Sequence, residues 1–483
     1  MNLYIDSHSF HFEMENLVRA FFPYDKITVI RDFEDMEKPY VLTSYTDCIS
    51  VTVCVNDYIK TEKAEKTFDD TKDELIMAQL MYSIMCEYFG TTLPWGVLTG
   101  VRPIKLLRRI IEEDGFENGV KYYKEELKVS DEKAKLALIT EKAEREILSL
   151  SKNDSFSLYI SIPFCPSRCN YCSFVSQSIE KAKYLIDDYV ALLCKELECT
   201  AKIAKKLNLR LESVYMGGGT PTTLSHTQLD TVLSTVNRCF DMSTCREFTV
   251  EAGRPDTITK EKLLAIKNNG VTRISINPQT LNDDVLNIIG RKHSAQDTID
   301  AYHLARECGL DNINMDLIAG LTGDNYSSFV NTLDKIMELS PESITIHTLS
   351  LKRSSNINQE NIEIDIGLKN ETTSMLEYAQ KNLLSADYIP YYLYRQSRMA
   401  GNLENVGWSK KGYESLYNVY VMDETHTILA CGAGAVTKLK EHKSGTLERI
   451  FNFKFPYEYN TRFDELIERK NRILSFYNEF FDA

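Results

Sequence analysis

In 483 residues the chain has only two tryptophans, 12 prolines and 21 glycines. So few turn formers exclude a collagen-like or low-complexity polypeptide. No apolar run reaches the roughly 18 residues that a membrane-spanning helix needs. The opening MNLYIDSHSF has neither the basic nor the apolar stretch of a secretory signal, so a cytoplasmic protein without a membrane span is expected. Positive charge is also short: 56 Lys plus Arg against 70 Asp plus Glu give a net charge of −14. That balance argues against nucleic acid as the main partner, because phosphate binding needs a basic footprint. The 12 cysteines form no dense regular framework. They read as reduced thiols whose spacing decides their use.

What is present is a chain that is 43% hydrophobic, enough for a large core and long enough for two or three domains. Residues 1–150 read as an α+β domain. ISVTVCV, ending at Val55, alternates as a strand does, and Ile76, Leu80, Ile84 and Met77, Met81, Met85 recur at helical spacing, as a core stripe. In LPWGVLTGVRPIKLLRRI, Pro103 opens a helix. Arg102, Lys105, Arg108 and Arg109 give it a basic face, read as solvated ahead of a substrate or partner patch. His8 and His11, at helical spacing, are placed on a solvated face. A charged amphipathic helix over Lys133–Leu150 ends at the linker SKNDS, residues 151–155.

From Leu158 the texture changes. Short β-rich runs recur, each followed by enough chain for a helix: LYISIPF (158–164), SVYMG (213–217), EFTVEA (247–252), RISINPQ (273–279), NINMDLIAG (312–320) and SITIHTLSL (343–351). Such spacing implies βα units with parallel pairing. The expected fold is α/β, an open, partial (β/α)6 TIM-like barrel over 151–375. A C-terminal α+β cap over 376–483 follows, in which YNVYVMD and HTILACGAGA pair as strands. Chemistry then belongs at the carboxyl ends of the barrel strands. Cys165, Gly217 to Thr220, Glu251, Gln279 and Asp316 all fall at or near those ends.

The strongest local signal is Cys165-Pro-Ser-Arg-Cys169-Asn-Tyr-Cys172, directly after the first of these strands. Three thiolates on one loop can converge on zinc, copper(I) or an iron–sulfur cluster. A structural zinc needs a fourth ligand, and the next cysteines, Cys194 and Cys199, lie more than 20 residues on, on a helix. Three ligands on a four-iron cluster leave one iron open. Gly217-Gly218-Gly219-Thr220-Pro221-Thr222 lets backbone approach a ligand closely but lacks the Lys-Ser/Thr of a phosphate loop.

The Cx3CxYC run resembles the signature of radical S-adenosylmethionine (SAM) enzymes. With YISIPFCPSRCNYCSF, MGGGTPTTL (216–224), RISINPQTLNDDVLNIIGR (273–291), NMDLIAGL (314–321) and GAGAVT (432–437), the sequence resembles the oxygen-independent coproporphyrinogen III oxidases, in their longer variant with an extra N-terminal domain. The resemblance implies a radical SAM barrel with a 4Fe–4S cluster on Cys165, Cys169 and Cys172 and one or two SAM molecules. It implies SAM contacts from Tyr159, Phe174, Gly218, Gly219, Thr220, Glu251, Gln279, Arg291, Asp316 and Val436, with Tyr159 near the sulfonium and catalytic. The implied reaction converts two propionates of coproporphyrinogen III to vinyl groups, giving protoporphyrinogen IX in haem biosynthesis. A 5′-deoxyadenosyl radical starts it, and a flavodoxin or ferredoxin-type donor supplies electrons. The substrate's four carboxylates need cationic partners, for which Arg254, Arg353, Arg395 and Arg398 are the candidates. Phe174 also resembles the haem-chaperone branch. However, the His-Asn-x-x-Tyr-Trp of that branch is here Gly-Asn402-Leu-Glu-Asn-Val-Gly-Trp408, without the His, which favours an enzyme. His347 is read as a structural histidine ahead of a haem ligand.

Overall fold

The computed structural model describes residues 1–23, 25–172, 176–350, 366–396 and 402–481. The N-terminal segment builds a five-stranded sheet from β1 (Asn2–Asp6), β2 (Thr28–Ile30), β3 (Tyr40–Tyr45), β4 (Ile49–Val55) and β5 (Tyr58–Ala64), in the order β2-β1-β3-β4-β5. The helix Asp70–Phe89 starts where the Asp69 carboxylate accepts from the amides of Thr71 and Lys72, and it ends at the left-handed Gly90. It packs on β4 and β5 and buries Met77, Met81, Ile84 and Met85 completely, so the methionine stripe is core as expected. His8 departs from expectation: it precedes the helix His11–Phe21 and bonds to the Thr43 hydroxyl. Burial lowers its pKa to about 4, so it packs as a neutral ring.

A second sheet carries the rest of the chain. Its strands are β6 (Ser155–Ile162), β9 (Arg210–Gly218), β10 (Glu247–Gly253), β11 (Arg273–Ile276), β12 (Ile313–Ala319), β13 (Ser343–Thr348), β14 (Ile389–Arg395), β15 (Glu404–Ser409), β16 (Thr427–Cys431), β17 (Val436–Lys440) and β18 (Leu447–Phe451). Between β6 and β9, two-residue β7 (Phe164–Cys165) and β8 (Gln177–Ser178) pair with each other in parallel. The order of the large sheet is β14-β15-β13-β12-β11-β10-β9-β6-β16-β17-β18. The six expected strands therefore sit side by side and parallel, with helical crossovers between them. Among the described residues the sheet is not closed into a ring. Nearly every residue of β6 is buried, including Phe156, Leu158, Ile160 and Ile162, as a strand covered on both faces requires.

The sheet runs across the division expected near residue 375, because strands from the last hundred residues extend it at both ends. YNVYVMD is not a strand: it forms the helix Leu416–Asp423, with the Ser415 hydroxyl accepting from the Asn418 amide. The buried Glu247 carboxylate accepts from the Ser415 hydroxyl and the amides of Leu416 and Tyr417. A carboxylate that satisfies first-turn amides overrides the strand preference of Tyr and Val. The basic face of the helix Pro103–Asp114 is also corrected, since three of its four cations reach the end of Leu416–Asp423. Arg102 pairs with Glu424 at 2.6 Å, Lys105 donates to the Asp423 carbonyl, and Arg108 sits between Asp423 and Glu144, 2.5 Å from each. The last carbonyls and the negative end of a helix attract cations in this way.

Candidate functional site

Parallel strands send the loops after β6, β9, β10, β11, β12 and β13 to one edge of the sheet. A cavity of about 380 Å³ opens there, within the size range of small-molecule sites. Its wall brings together Cys165, Cys169, Cys172, Gly218, Gly219, Thr220, Glu251, Gln279, Arg291 and Asp316. These residues are spread over 150 positions of sequence.

The cysteine loop is pinned from three sides. The β7–β8 pair closes its base. Asn170 donates its amide to the Ile289 carbonyl at 3.1 Å, and the Ser167 hydroxyl donates to Gly290 at 3.1 Å. Arg254, 3% exposed, forks onto both oxygens of Asp256 at 3.0 Å, donates to the Ser167 hydroxyl at 2.8 Å and points a guanidinium nitrogen at the Cys169 sulfur, 4.0 Å away. On the other side the Thr220 hydroxyl points at the Cys165 sulfur, 3.6 Å away. None of the three cysteines is in a disulfide among the described residues, and burial raises the pKa of Cys165. Among the described residues no three His, Cys, Asp or Glu side chains surround a single-ion position, so the sulfurs are not grouped round one ion. Cys165 and Cys169 each have an O–H or N–H donor aimed at them, which suits thiolates of an iron–sulfur cluster, whose potential such donors tune.

The glycine run earns its composition here. The amides of Gly219 and Thr220 donate to the carbonyls of Ile162 and Phe164, each at 2.7 Å. A Cβ on Gly219 would lie 2.5 Å from the Phe164 carbonyl oxygen, and Gly218 has φ +108°. Only glycine lets the end of β9 lie this close to the start of the cysteine loop. Glu251, at the end of β10, accepts from the Tyr215 hydroxyl at 2.5 Å. Burial pushes its pKa up to about 7, with the Asp316 charge adding to the rise.

Gln279 has φ +70°, and its backbone is bonded to Asp316 and Ile318, so it is held in an uncommon conformation beside β12. Arg291 donates to the Asn277 carbonyl at 2.6 Å and the Tyr171 hydroxyl at 3.1 Å, while among the described residues its buried Nε has no acceptor. Asp316 accepts from Asn314 at 2.7 Å and lies 3.9 Å from the His347 ring. Other expected residues fall elsewhere. Tyr159 stacks on Tyr215 and Tyr417, with ring centroids 6.4 and 6.0 Å apart, and Tyr215 rather than Tyr159 reaches the cavity wall. Val436 begins β17, outside the wall. Arg395 is buried against the carbonyls of Leu98 and Asn402 and the Trp95 ring, and Arg254 is committed to the cysteine loop. Arg395 lies off the cavity wall, and Arg254, which lies on it, is held by Asp256 and Ser167. Phe174, Arg353 and Arg398 lie outside the described residues.

Several wall residues carry no sequence signal of their own: Tyr392, Tyr394, Asn405, Asn418 and Met422, which the C-terminal strands and the helix Leu416–Asp423 bring over the cavity. Tyr171 was legible, since it is the aromatic inside Cx3CxYC. His347, in the cavity wall, bonds Tyr394 at 3.4 Å.

The family description "Radical SAM superfamily" matches residues 159–336. The chain is 37% identical over 420 residues to the oxygen-independent coproporphyrinogen-III oxidase-like protein HemZ of Bacillus subtilis, covering 86% of this chain and 83% of that protein. It is 38% identical over 194 residues to the heme chaperone HemW of the same organism, covering 40% and 50%. Among solved structures, the coproporphyrinogen III oxidase HemN of Escherichia coli superimposes with a TM-score of 0.52 at 19% identity, over 68% of this chain and 73% of that one. That likeness supports the fold.

Proposed function

The chain belongs to the coproporphyrinogen-III-oxidase-like family of radical SAM proteins, whose cofactors are a 4Fe–4S cluster and SAM, and from this premise we propose that it oxidatively decarboxylates propionate side chains of a tetrapyrrole. The observation that carries the reading is one cavity lined both by three thiols and by a set of polar side chains from neighbouring strand ends. Cys165, Cys169 and Cys172 line it together with the polar side chains of Gln279, Arg291, Asp316 and His347.

Cys165, Cys169 and Cys172 would hold three corners of the cluster. Once bound, the cluster supplies the electron that cleaves SAM to methionine and a 5′-deoxyadenosyl radical. The Gly218–Thr220 backbone offers a surface without side chains for the nucleotide, and Glu251, when ionised, accepts from ribose hydroxyls. Among the described residues Arg291 keeps one buried donor without a partner, which suits a carboxylate. By the family resemblance Phe174 and Val436 would complete the nucleotide's surroundings, with Tyr159 acting from behind Tyr215. The aromatic wall of Tyr392 and Tyr394 excludes water from the reacting carbon. Coproporphyrinogen III as substrate, conversion to protoporphyrinogen IX and a flavodoxin or ferredoxin-type donor are the finer parts of the proposal.

A second reading, haem carriage, draws support from the relatives named heme chaperone and from His347 on the cavity wall, where a neutral imidazole could ligate iron. Anaerobic incubation with coproporphyrinogen III, SAM and reductant separates the two. Protoporphyrinogen together with 5′-deoxyadenosine is expected. Intact porphyrinogen, with stoichiometric haem binding that His347→Ala abolishes, would replace the enzyme reading with the carrier.

A further inference from the structure

In a chain of net charge −14, positive charge accumulates at one place remote in sequence from the cysteine loop. Arg102 and Lys105 come from the start of the helix Pro103–Asp114, Lys438 and Lys440 from β17, and Arg449 from β18, where it is the cross-strand partner of Lys438. They gather round the C-terminus of the helix Leu416–Asp423. The acids nearby are already engaged. Asp423 and Glu144 pair with Arg108 at 2.5 Å, and Glu141 serves Arg108 and Arg145. Glu448, the cross-strand neighbour of Leu439, pairs with Arg472 at 2.6 Å. Glu441 accepts from the Lys443 and Ser444 amides. Glu424 alone is left to serve the cluster, and it is shared between Arg102 at 2.6 Å and Arg449 at 3.2 Å.

The decisive group is Lys438. It is half-buried, and among the described residues its ammonium has neither a hydrogen-bond acceptor nor an ion-pair partner. A cation taken partly out of water beside two guanidinium groups, with one carboxylate, Glu424, shared among all three, gains from a further anion. Burial lowers the pKa of Lys438, with Glu424 opposing and Arg102 and Arg449 adding to the fall, and burial lowers that of Lys105, with Asp423 and Glu424 opposing and Lys440 and Arg102 adding to it. Lys105 and Lys440 each spend a proton on a backbone carbonyl, Asp423 and Gly445, and an ammonium has two more to give.

We propose that Arg102, Lys105, Lys438, Lys440 and Arg449 form a binding site for a small multivalent phosphate-type anion, at the junction of the Pro103–Asp114 helix, the Leu416–Asp423 helix and the β17–β18 hairpin. Two forked guanidiniums and three ammonium groups on separate elements suit a compact, highly charged ligand. Because Leu416–Asp423 also carries Asn418 and Met422 of the cavity wall, an anion here braces that wall from outside. The inference stands independently of the tetrapyrrole reading and is tested without turnover.

The test is a calorimetric titration of the full-length protein with inorganic pyrophosphate, paralleled by melting curves in pyrophosphate and in sodium chloride of equal ionic strength. Pyrophosphate is expected to bind and to raise the melting temperature where chloride does not. Lys438→Gln and, separately, Arg449→Gln on the exposed edge strand each weaken binding at least tenfold. Citrate serves as the carboxylate comparison and binds more weakly than pyrophosphate. An equal effect of chloride, equal affinity for citrate, or unchanged affinity in both folded variants would overturn the proposal.

Discussion

At the scale of single residues, Glu251 shows how position changes a common side chain. In sequence it is one of 70 acids, whereas in the fold it sits at a strand end under a tyrosine hydroxyl, with a pKa of about 7 in place of 4.5. The folded state thus binds this proton more tightly than the unfolded chain does. Its contribution to stability is complete below the ordinary carboxylate range and is lost as pH rises through about 7. Glu251→Gln removes the titration, so the stability of the wild type relative to the variant is expected to fall between about pH 5 and about pH 8. Denaturant midpoints at the two pH values check this, and a constant difference would contradict it. Cys165, Cys169, Cys172 and the glycine run were legible because chemistry and backbone geometry leave few alternatives for those residue types. Arg254 and Arg395 were not. A guanidinium reads the same in sequence whether it waits for a substrate or, as here, is used up on backbone carbonyls and Asp256.

At the scale of elements, several apparently solvated charges turn out to be fasteners between segments. Lys133, on the helix Asp131–Leu148, pairs at 2.5 Å with Glu404 on β15, which also accepts from the Trp95 indole at 2.7 Å. Both charged side chains are almost fully buried. Glu404→Ala leaves the Lys133 ammonium uncompensated and is expected to cost about 3 kcal/mol or more. Denaturant unfolding followed by tryptophan fluorescence measures it, since Trp95 lies in the affected contact. A loss below 1 kcal/mol would show that water reaches Lys133. The amphipathic pattern of that helix was readable from its apolar positions. Its polar partners were not, because they are 271 residues away for Lys133 and no local periodicity encodes them. The same cause explains the helix Leu416–Asp423, where Glu247 on another strand supplies what the local sequence does not announce.

Across the whole molecule, one apolar core runs from Leu3 to Tyr477 and joins both sheets, and Arg108, paired with Glu141 and Glu144 inside the first 150 residues, reaches across to Asp423 of the C-terminal segment. Burial already raises the pKa of Glu144 to about 8 despite that partner. Arg108→Met therefore leaves buried acids unpaired, and thermal unfolding is expected to shift down by several degrees and to lose its single cooperative transition. Calorimetry decides the point, and an unchanged single peak would mean that the coupling does not depend on Arg108.

The sequence by itself determined the three-cysteine loop, the six-fold βα rhythm, the edge of the sheet at which that loop lies and the family. Each is written in residues close together in the chain, by spacing, periodicity or the need for glycine. Only the tertiary structure decided which arginines are committed, how the C-terminal strands extend the sheet and cover the cavity, and where unpaired positive charge remains. Those outcomes depend on which distant groups meet in a low-dielectric interior, and a linear pattern of residue types does not contain those meetings.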